Sequence, residues 1–454
     1  MTRSDITSAN ETQIKADLMY KLPCLTYVEM KTVVKILVVS LICVLISCTN
    51  TQNEVDPIIT VDIDKNIDNL EVVNLSELAS DVKYIPLEKT DNFQLSNVSS
   101  IDVSSEYFLI SDRKNCLLFN SDGKFLSKIG NRGNGPDEYQ FIGSIALGSG
   151  VSQSAFIHSL YDLIEYNLDG TFGKRYNGLL INDEKAFDLW HLLNDSLVFI
   201  NIPNSTGMEQ NKAIIMNLHG EVVVQYGNYE TFQFINPRGN FISEFAHIYE
   251  FNGSLWFKQY FNDTLFYHDN NLKLNPKYIF KADNLKIPVS ERLKYPIADI
   301  LWSHKSLFEV YQTENYLFLK FLFGNNFPAK RLHPKPSPFP GQSEIWINTN
   351  YILGIYDKKS GDLKLCKPTS TDNPLFTSGI YNDIDCGPRF FPSAVVNDST
   401  LLMSIDPFEL KDHVKSEDFK SNPARFPEKK KELEDLTNEL DLMDNPVLML
   451  VTFK

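Results

Sequence analysis

Three glycines, Gly130, Gly133 and Gly135, form a G-x-x-G-x-G run in which nucleotide chemistry would first be sought. A phosphate site of that kind needs a helix to follow, so that backbone N–H groups and the helix dipole meet the anion. No helical pattern follows, and Pro136 fixes the backbone at once, so a tight loop is the better reading. That loop gathers Arg132, Glu138 and Tyr139, which could bond the hydroxyls of a polar ligand and stack on a sugar face. A second charged group, Asp383, Asp385 and Arg389 in NDIDCGPR, offers two carboxylates for acid–base work or for a cation. These six are the candidate ligand-binding residues. No catalytic residue or metal ligand is assigned, and the cofactor is left open.

Other chemistries find no motif. The eight histidines are never spaced i, i+2 or i, i+4, and HExxH, CxxC and EF-hand patterns are absent. Ligands can still be gathered from separate segments, and His191 and His247 fall in runs expected to line a central channel. There is no G-x-S-x-G elbow, which argues against a serine hydrolase of that type. The 58 acidic against 43 basic side chains, net −15, argue against a nucleic-acid partner. Cys116, Cys366 and Cys386 are too few and too odd in number for a disulfide framework, although Cys366 and Cys386 could pair.

The elements that must position these residues read as short strands. The aromatic-rich chain of 454 residues breaks into β runs separated by turn signals. An outer hairpin turn recurs at Gly123, Gly170, Gly220 and Asn270, spaced 47, 50 and 50 residues apart, and again in 356–365. An inner turn recurs near Ser105, Ser149, Asp195, Gly253, Glu314 and Asp398. Four strands per repeat of about 40–50 residues mark a β-propeller. Six inner turns against five outer ones predict six four-stranded antiparallel blades, the last completed by both chain ends: 82–87 pairs with 447–451. Closure of that kind leaves no long open edge. Residues 324–350 are expected to form a loop insertion in blade 5, and 428–443 an amphipathic helix on the stripe Leu433, Leu436, Leu440 and Met443.

The N-terminal region predicts an address. Lys31 and Lys35 precede an apolar run of 11 residues (36–46), too short for the roughly 20 that span a bilayer but suited to a secretory signal. It ends Leu45-Ile46-Ser47-Cys48, which resembles a bacterial lipobox, with Cys48 the residue that takes the lipid. Accordingly 30–47 is expected as a lipoprotein signal peptide and 48–70 as a flexible tether. Residues 71–454 follow as one β-propeller domain. Residues 1–29, with mixed charge ahead of Met30-Lys31, read as a misassigned extension.

The stretch from Tyr84-Ile85-Pro86-Leu87-Glu88 through Ser111-Asp112-Arg113 and Phe119-Asn120-Ser121-Asp122-Gly123-Lys124-Phe125 to the 129–139 loop resembles the six-bladed β-propeller lipoproteins of gut-type Gram-negative bacteria. These are similar in architecture to NHL-repeat propellers. Phe261-Asn262-Asp263-Thr264-Leu265-Phe266 and Asn382-Asp383-Ile384-Asp385 extend the likeness, while Asp137 stands where that family usually has Gly. The resemblance implies the fold and a lipid-anchored place in the cell envelope, at the outer membrane, and it implies no established catalytic activity. Together these readings predict a membrane-tethered binding or scaffolding module with a protein or glycan partner. The alternative is an envelope hydrolase or lyase acting on a glycan or peptide at the channel mouth.

Overall fold

The structure is a computed structural model and describes residues 57–454, apart from 96–97, 149–152, 160–161, 178–179, 182–183, 186–189, 205–206, 233–245, 289–302, 328–349 and 370–377. The expected extension, the signal peptide and Cys48 lie outside the described residues, as does most of the 324–350 insertion.

Six antiparallel sheets form the blades of a propeller. Their inner strands are Ser100–Val103, Ser144–Leu147, Trp190–Asn194, Ala246–Phe251, Ser306–Gln312 and Ala394–Val395 in blades 1 to 6. The outer turns of blades 1, 3 and 4 close by one device. In blades 1 and 3 a side-chain oxygen of the first turn residue captures two backbone N–H groups: Asn120 Oδ1 takes those of Asp122 (3.1 Å) and Lys124 (2.8 Å), and Asn217 Oδ1 those of His219 and Glu221. Three residues after the first turn position the chain needs a left-handed residue, and Gly123, Gly170 and Gly220 supply it at φ 82°, 86° and 86°. In blade 4 Asp269 plays the capturing role and Leu272 takes φ 59°, two residues beyond the Asn270 that the sequence suggested.

Gly170 and Gly220 share one φ but differ in surroundings, which separates backbone strain from clash. A Cβ on Gly220 would meet nothing within 4 Å, whereas one on Gly170 would lie 2.1 Å from the Lys128 carbonyl oxygen in blade 1. Gly220→Ala is expected to cost only the left-handed strain, about 1 kcal/mol. Gly170→Ala adds an overlap with backbone and is expected to cost about 3 kcal/mol or more. Urea unfolding of the two variants measures the gap, and equal costs would contradict this packing.

Apolar residues alternate along the strands, and they meet between blades. Leu109 and Leu118 of blade 1 pack with Ile157 and Ile164 of blade 2. Phe199 and Phe257 join blades 3 and 4 at 5.0 Å between ring centroids. Ile85, Leu402 and Leu448 of blade 6 meet Phe108 and Ile110 of blade 1, and this last interface closes the ring.

Blade 6 is built from both ends of the described chain. Strand β3, Ala79–Pro86, pairs antiparallel with the C-terminal strand Val447–Phe453, with Val447 opposite Pro86 and Val451 opposite Val82. The 48–70 segment is not all tether, however. Strand β1, Ile59–Asp62, adds in parallel to the outer strand of blade 4, Leu274–Lys281, and β2, Leu70–Glu71, adds in parallel to that of blade 5, Leu363–Cys366. Residues 58–86 therefore form a strap across the outer edges of blades 4, 5 and 6. It is held because Val61, Ile63, Ile67, Val73 and Leu75 are all buried.

Between its second strand, Thr400–Ile405, and the C-terminal strand, blade 6 carries three helices rather than one. Counting the short helix α1 (Leu75–Leu78) in the strap, these are α2 (Pro407–Lys415), α3 (Glu417–Ser421) and α4 (Pro427–Glu439). Asp406 and Ser416 cap α2 and α3 by accepting from Phe408 N (2.8 Å) and Phe419 N (3.2 Å). The predicted 428–443 helix ends four residues early, so Leu433 is buried while Met443, past the last turn, is exposed. Cys116, Cys366 and Cys386 are free and buried, so the Cys366–Cys386 bridge does not form. No helix among the described residues is long and apolar enough to cross a membrane.

Candidate functional site

All six inner strands face one central channel, whose cavity measures about 520 Å³. Alternation along each strand sends one side chain toward a neighbouring blade and the next the other way. In Trp190–Asn194, Trp190 and Leu192 enter the core between blades 2 and 3. His191 points away from it, and its Nε2 lies 3.1 Å from Glu250 Oε1 on the inner strand of blade 4. His191 and His247 both line the channel, where the sequence placed them.

Among the described residues the lining carries three carboxylates, Asp102, Glu250 and Asp398, and two histidines, but no Lys or Arg. Each carboxylate also fastens a neighbour. Asp102 Oδ2 accepts the Leu147 N–H of blade 2 at 2.6 Å, and Asp398 Oδ1 accepts that of Asn252 in blade 4 at 2.8 Å. Burial pushes the Asp102 carboxyl above its ordinary value, against the pull of the Leu147 N–H and of His191. Burial also holds His247 down, to about 4, so its ring is neutral at pH 7. Its Nδ1 accepts the Val310 N–H at 3.2 Å, which leaves the proton on Nε2, and the ring packs 4.6 Å from Tyr311 and 5.1 Å from Tyr249. Behind Tyr311, Glu309 accepts from the Tyr311 hydroxyl (2.6 Å) and from Lys320 Nζ (3.0 Å). Burial raises the Glu309 carboxyl, but Lys320, His247 and these bonds outweigh it and hold it below the ordinary value. Among the described residues, no group of three or more His, Cys, Asp or Glu side chains could hold a metal ion.

None of the six candidate ligand residues lines this cavity. Both of their clusters sit in connections from the outer strand of one blade to the inner strand of the next. The cavity extends to the inner turns around Ser104, Asn252 and Asp398, at the opposite ends of those inner strands.

The 129–139 loop is a buttress. Tyr139 has 0% of its surface exposed, so its ring cannot stack on a sugar, and its hydroxyl donates to the Lys114 carbonyl at 3.0 Å. Glu138 Oε2 accepts the Gly135 N–H at 2.8 Å within the loop. The exposed Arg132 donates from Nε to the Gln140 carbonyl at 3.1 Å. Arg175 of blade 2 clamps the loop from outside through the Pro136 (3.0 Å) and Glu138 carbonyls. Asp137, where Gly is usual, is accommodated, its carbonyl accepting the Tyr166 hydroxyl at 3.0 Å.

The second cluster fastens the strap. Asp383 accepts from Ser76 through N–H (2.9 Å) and hydroxyl (2.6 Å). Asp385 is buried against Asn382 Nδ2 (2.6 Å), Gly387 N–H (2.7 Å) and the Tyr84 hydroxyl of β3 (3.3 Å). Arg389 is buried, its guanidinium 5.2 Å from the Tyr381 ring. The cluster is therefore part of the ring closure and offers no open acid–base pair. Asp102, Glu250 and Asp398 were missed by sequence reasoning. The available signal was a charged residue within or just beyond a first strand, a signal that finds these three on the channel but also marks Glu309, which lies behind Tyr311 and pairs with Lys320.

The fold has solved counterparts. A protein of Bacteroides fragilis NCTC 9343 described as exported is similar at 17% identity, over 88% of this chain and 100% of that one, with a TM-score of 0.61. A member of the DUF4221 family from Bacteroides vulgatus ATCC 8482 is similar at 13% identity, over 83% and 97% of the two chains, with a TM-score of 0.48. Virginiamycin B lyase of Staphylococcus aureus reaches 13% identity over 64% and 75%, with a TM-score of 0.33. No curated protein matches the sequence. One family profile does match, over residues 58–452, a span that begins where the strap begins and ends within the closing strand. The chain belongs to that family, a domain of unknown function, DUF4934.

Proposed function

We propose that this chain is a binding module of the cell envelope, lipid-anchored at Cys48, that takes a polar, positively charged ligand at its central channel. One observation carries the ligand class: among the described residues the 520 Å³ cavity is lined by three carboxylates with no Lys or Arg to balance them. A cavity of this size suits a small ligand or the end of a larger one. Low-dielectric walls strengthen the attraction of carboxylates for a cation. An amine-bearing glycan meets these conditions, through its ammonium group and through hydroxyls that Ser104, Asn252 and Asn397 can bond.

The probe is a glucosamine tetramer titrated into the full chain in detergent and followed by calorimetry, with the N-acetylated tetramer as the uncharged control. Binding of the first, and its loss by about tenfold or more in Glu250→Gln, is expected. Equal binding of both tetramers would remove the charge argument. A second reading, an envelope hydrolase or lyase, is favoured by His191 and Glu250 at 3.1 Å near a carboxyl of raised pKa, which could share acid and base roles. Cleavage of a glycan or peptide that stops in His191→Gln would favour it.

The anchor has its own test. Cys48→Ser is expected to move the protein from the membrane fraction to the soluble one, because the polar residues after Cys48 give no hold of their own. A wild type that is already soluble would overturn the lipid assignment.

A further inference from the structure

The strap covers the outer edges of blades 4 and 5 and completes blade 6. Among the described residues no strand pairs with the outer edges of blades 1, 2 and 3. An open edge presents unpaired N–H and C=O groups, and proteins blunt it with charge, above all Lys. Blade 1 follows that rule: its edge strand Phe125–Lys128 is preceded by Lys124 and ends on Lys128. Blade 2 does so with Lys174 and Arg175 inside Phe172–Tyr176. Blade 3 does not. Its edge strand, Val222–Gly227, reads VVVQYG, without a charge or a proline. Val222 and Val223 are 42% and 48% exposed, and Tyr229 just beyond is 89% exposed. Three consecutive β-branched residues on an unprotected edge are the composition of a strand that accepts a partner.

Two further observations say what partner. Blades 4 and 5 each accept a fifth strand in parallel, so the outer strands of this ring have the twist and clearance for such an addition. The edge is also bracketed by acid: within 221–230 the only charged residues are Glu221 and Glu230, one past each end of the apolar run. Antiparallel pairing of two copies would bring Glu221 of one toward Glu230 of the other, on proteins that each carry a net charge of −15.

We propose that the outer edge of blade 3 is a docking site for one extended segment of another protein, apolar at alternate positions and flanked by basic residues, which adds as a fifth strand. Main-chain bonds supply the affinity, and the exposed valines with the flanking glutamates supply the selectivity. The site is remote from the channel and independent of the channel's ligand.

The probe is a synthetic peptide of alternating valine and threonine with two lysines at each end, labelled and titrated with the full chain by anisotropy. Its control carries a central proline. The wild type is expected to bind the first peptide and to bind the control at least about tenfold more weakly. Val223→Lys is expected to weaken binding by about tenfold or more with no change in the unfolding midpoint. Gln225→Lys, at a second exposed edge position, serves if the first variant fails to fold. Undiminished binding in these variants, or no binding by the wild type up to about 1 mM peptide, overturns the proposal. So does sedimentation of the wild type as a dimer that Val223→Lys disperses, which would give the edge to a second copy.

Discussion

A chain that stops at Pro446 is expected to lose cooperative folding altogether. The deleted strand Val447–Phe453 is the third strand of blade 6 and the partner of two others. Val447, Leu448, Met449 and Val451 are 0% exposed, and Phe453 is 3% exposed. Burial of such side chains is worth about 1.5–3 kcal/mol each. Five of them approach or exceed the roughly 5–15 kcal/mol that is the whole net stability of a typical domain. The loss does not stop at the deleted residues. Strand β3 would have no sheet to join, and the interface of Leu448 and Ile85 with Phe108 and Ile110 of blade 1 would open. The expected readout is a broad, non-cooperative thermal transition with dye-accessible apolar surface. A truncated chain that melts like the full one would show that the ring does not depend on this closure. A milder version is Phe453→Ala. That ring lies 4.7 Å from Phe318 and 5.9 Å from Phe390, and its removal is expected to cost about 3–5 kcal/mol.

The closure was legible in the sequence because it is a matter of counting. Six inner turns and five outer ones leave one blade short of a strand, and two apolar runs at opposite ends of the chain were free to supply it. The turns were legible because a left-handed residue three positions after a capturing Asn or Asp is local chemistry. The strap was not legible. Strands β1 and β2 have four and two residues, and each is held by an edge that lies more than 200 residues further along the chain. Short parallel additions carry no hairpin signal and too few residues for a period. Helices α2 and α3 escaped for a related reason, since nine and five residues give little periodicity.

The candidate site divides along the same line. Gly-Pro loops and charged clusters draw attention as sequence, and in this fold they are the fastenings between blades: Tyr139 and Asp385 are buried because each bonds a neighbouring segment. The channel residues look ordinary as sequence. His191 was expected on the channel from its strand, but Asp102 and Glu250 join it only after the ring closes, and each of the two occupies an unremarkable place in a short strand. A motif search finds residues that act as neighbours in the chain. A propeller's channel is made from residues that are neighbours only in space.

One fastening should also set how stability depends on pH. Burial raises the Asp385 carboxyl from its ordinary 3.8 to about 6, although the Gly387 N–H, the Tyr84 hydroxyl and the Asn382 amide pull it down. A carboxyl whose pKa is raised by folding holds its proton more tightly in the fold than in the unfolded chain. Its contribution is therefore fully present below about pH 4 and is lost as pH rises through about 6. The rise from 3.8 to about 6 corresponds to at most about 3 kcal/mol. His247 runs the other way. Burial lowers it from 6.5 to about 4, so its share of stability is present above pH 6.5 and lost as pH falls toward 4. The two slopes oppose each other in the wild type, where the lowered His268 and His413 act with His247 and the raised Asp102 acts with Asp385, so the whole-protein profile does not report Asp385 alone. Asp385→Asn separates them, because the amide keeps an acceptor oxygen for Gly387 and Tyr84 and does not titrate. Relative to the wild type, this variant is expected to gain up to about 3 kcal/mol between pH 4 and pH 7, with most of the gain by pH 6. Urea midpoints of both proteins at each pH give that difference directly. A difference that stays flat across the range would mean that Asp385 titrates near its ordinary value and that the Tyr84 contact carries no pH dependence.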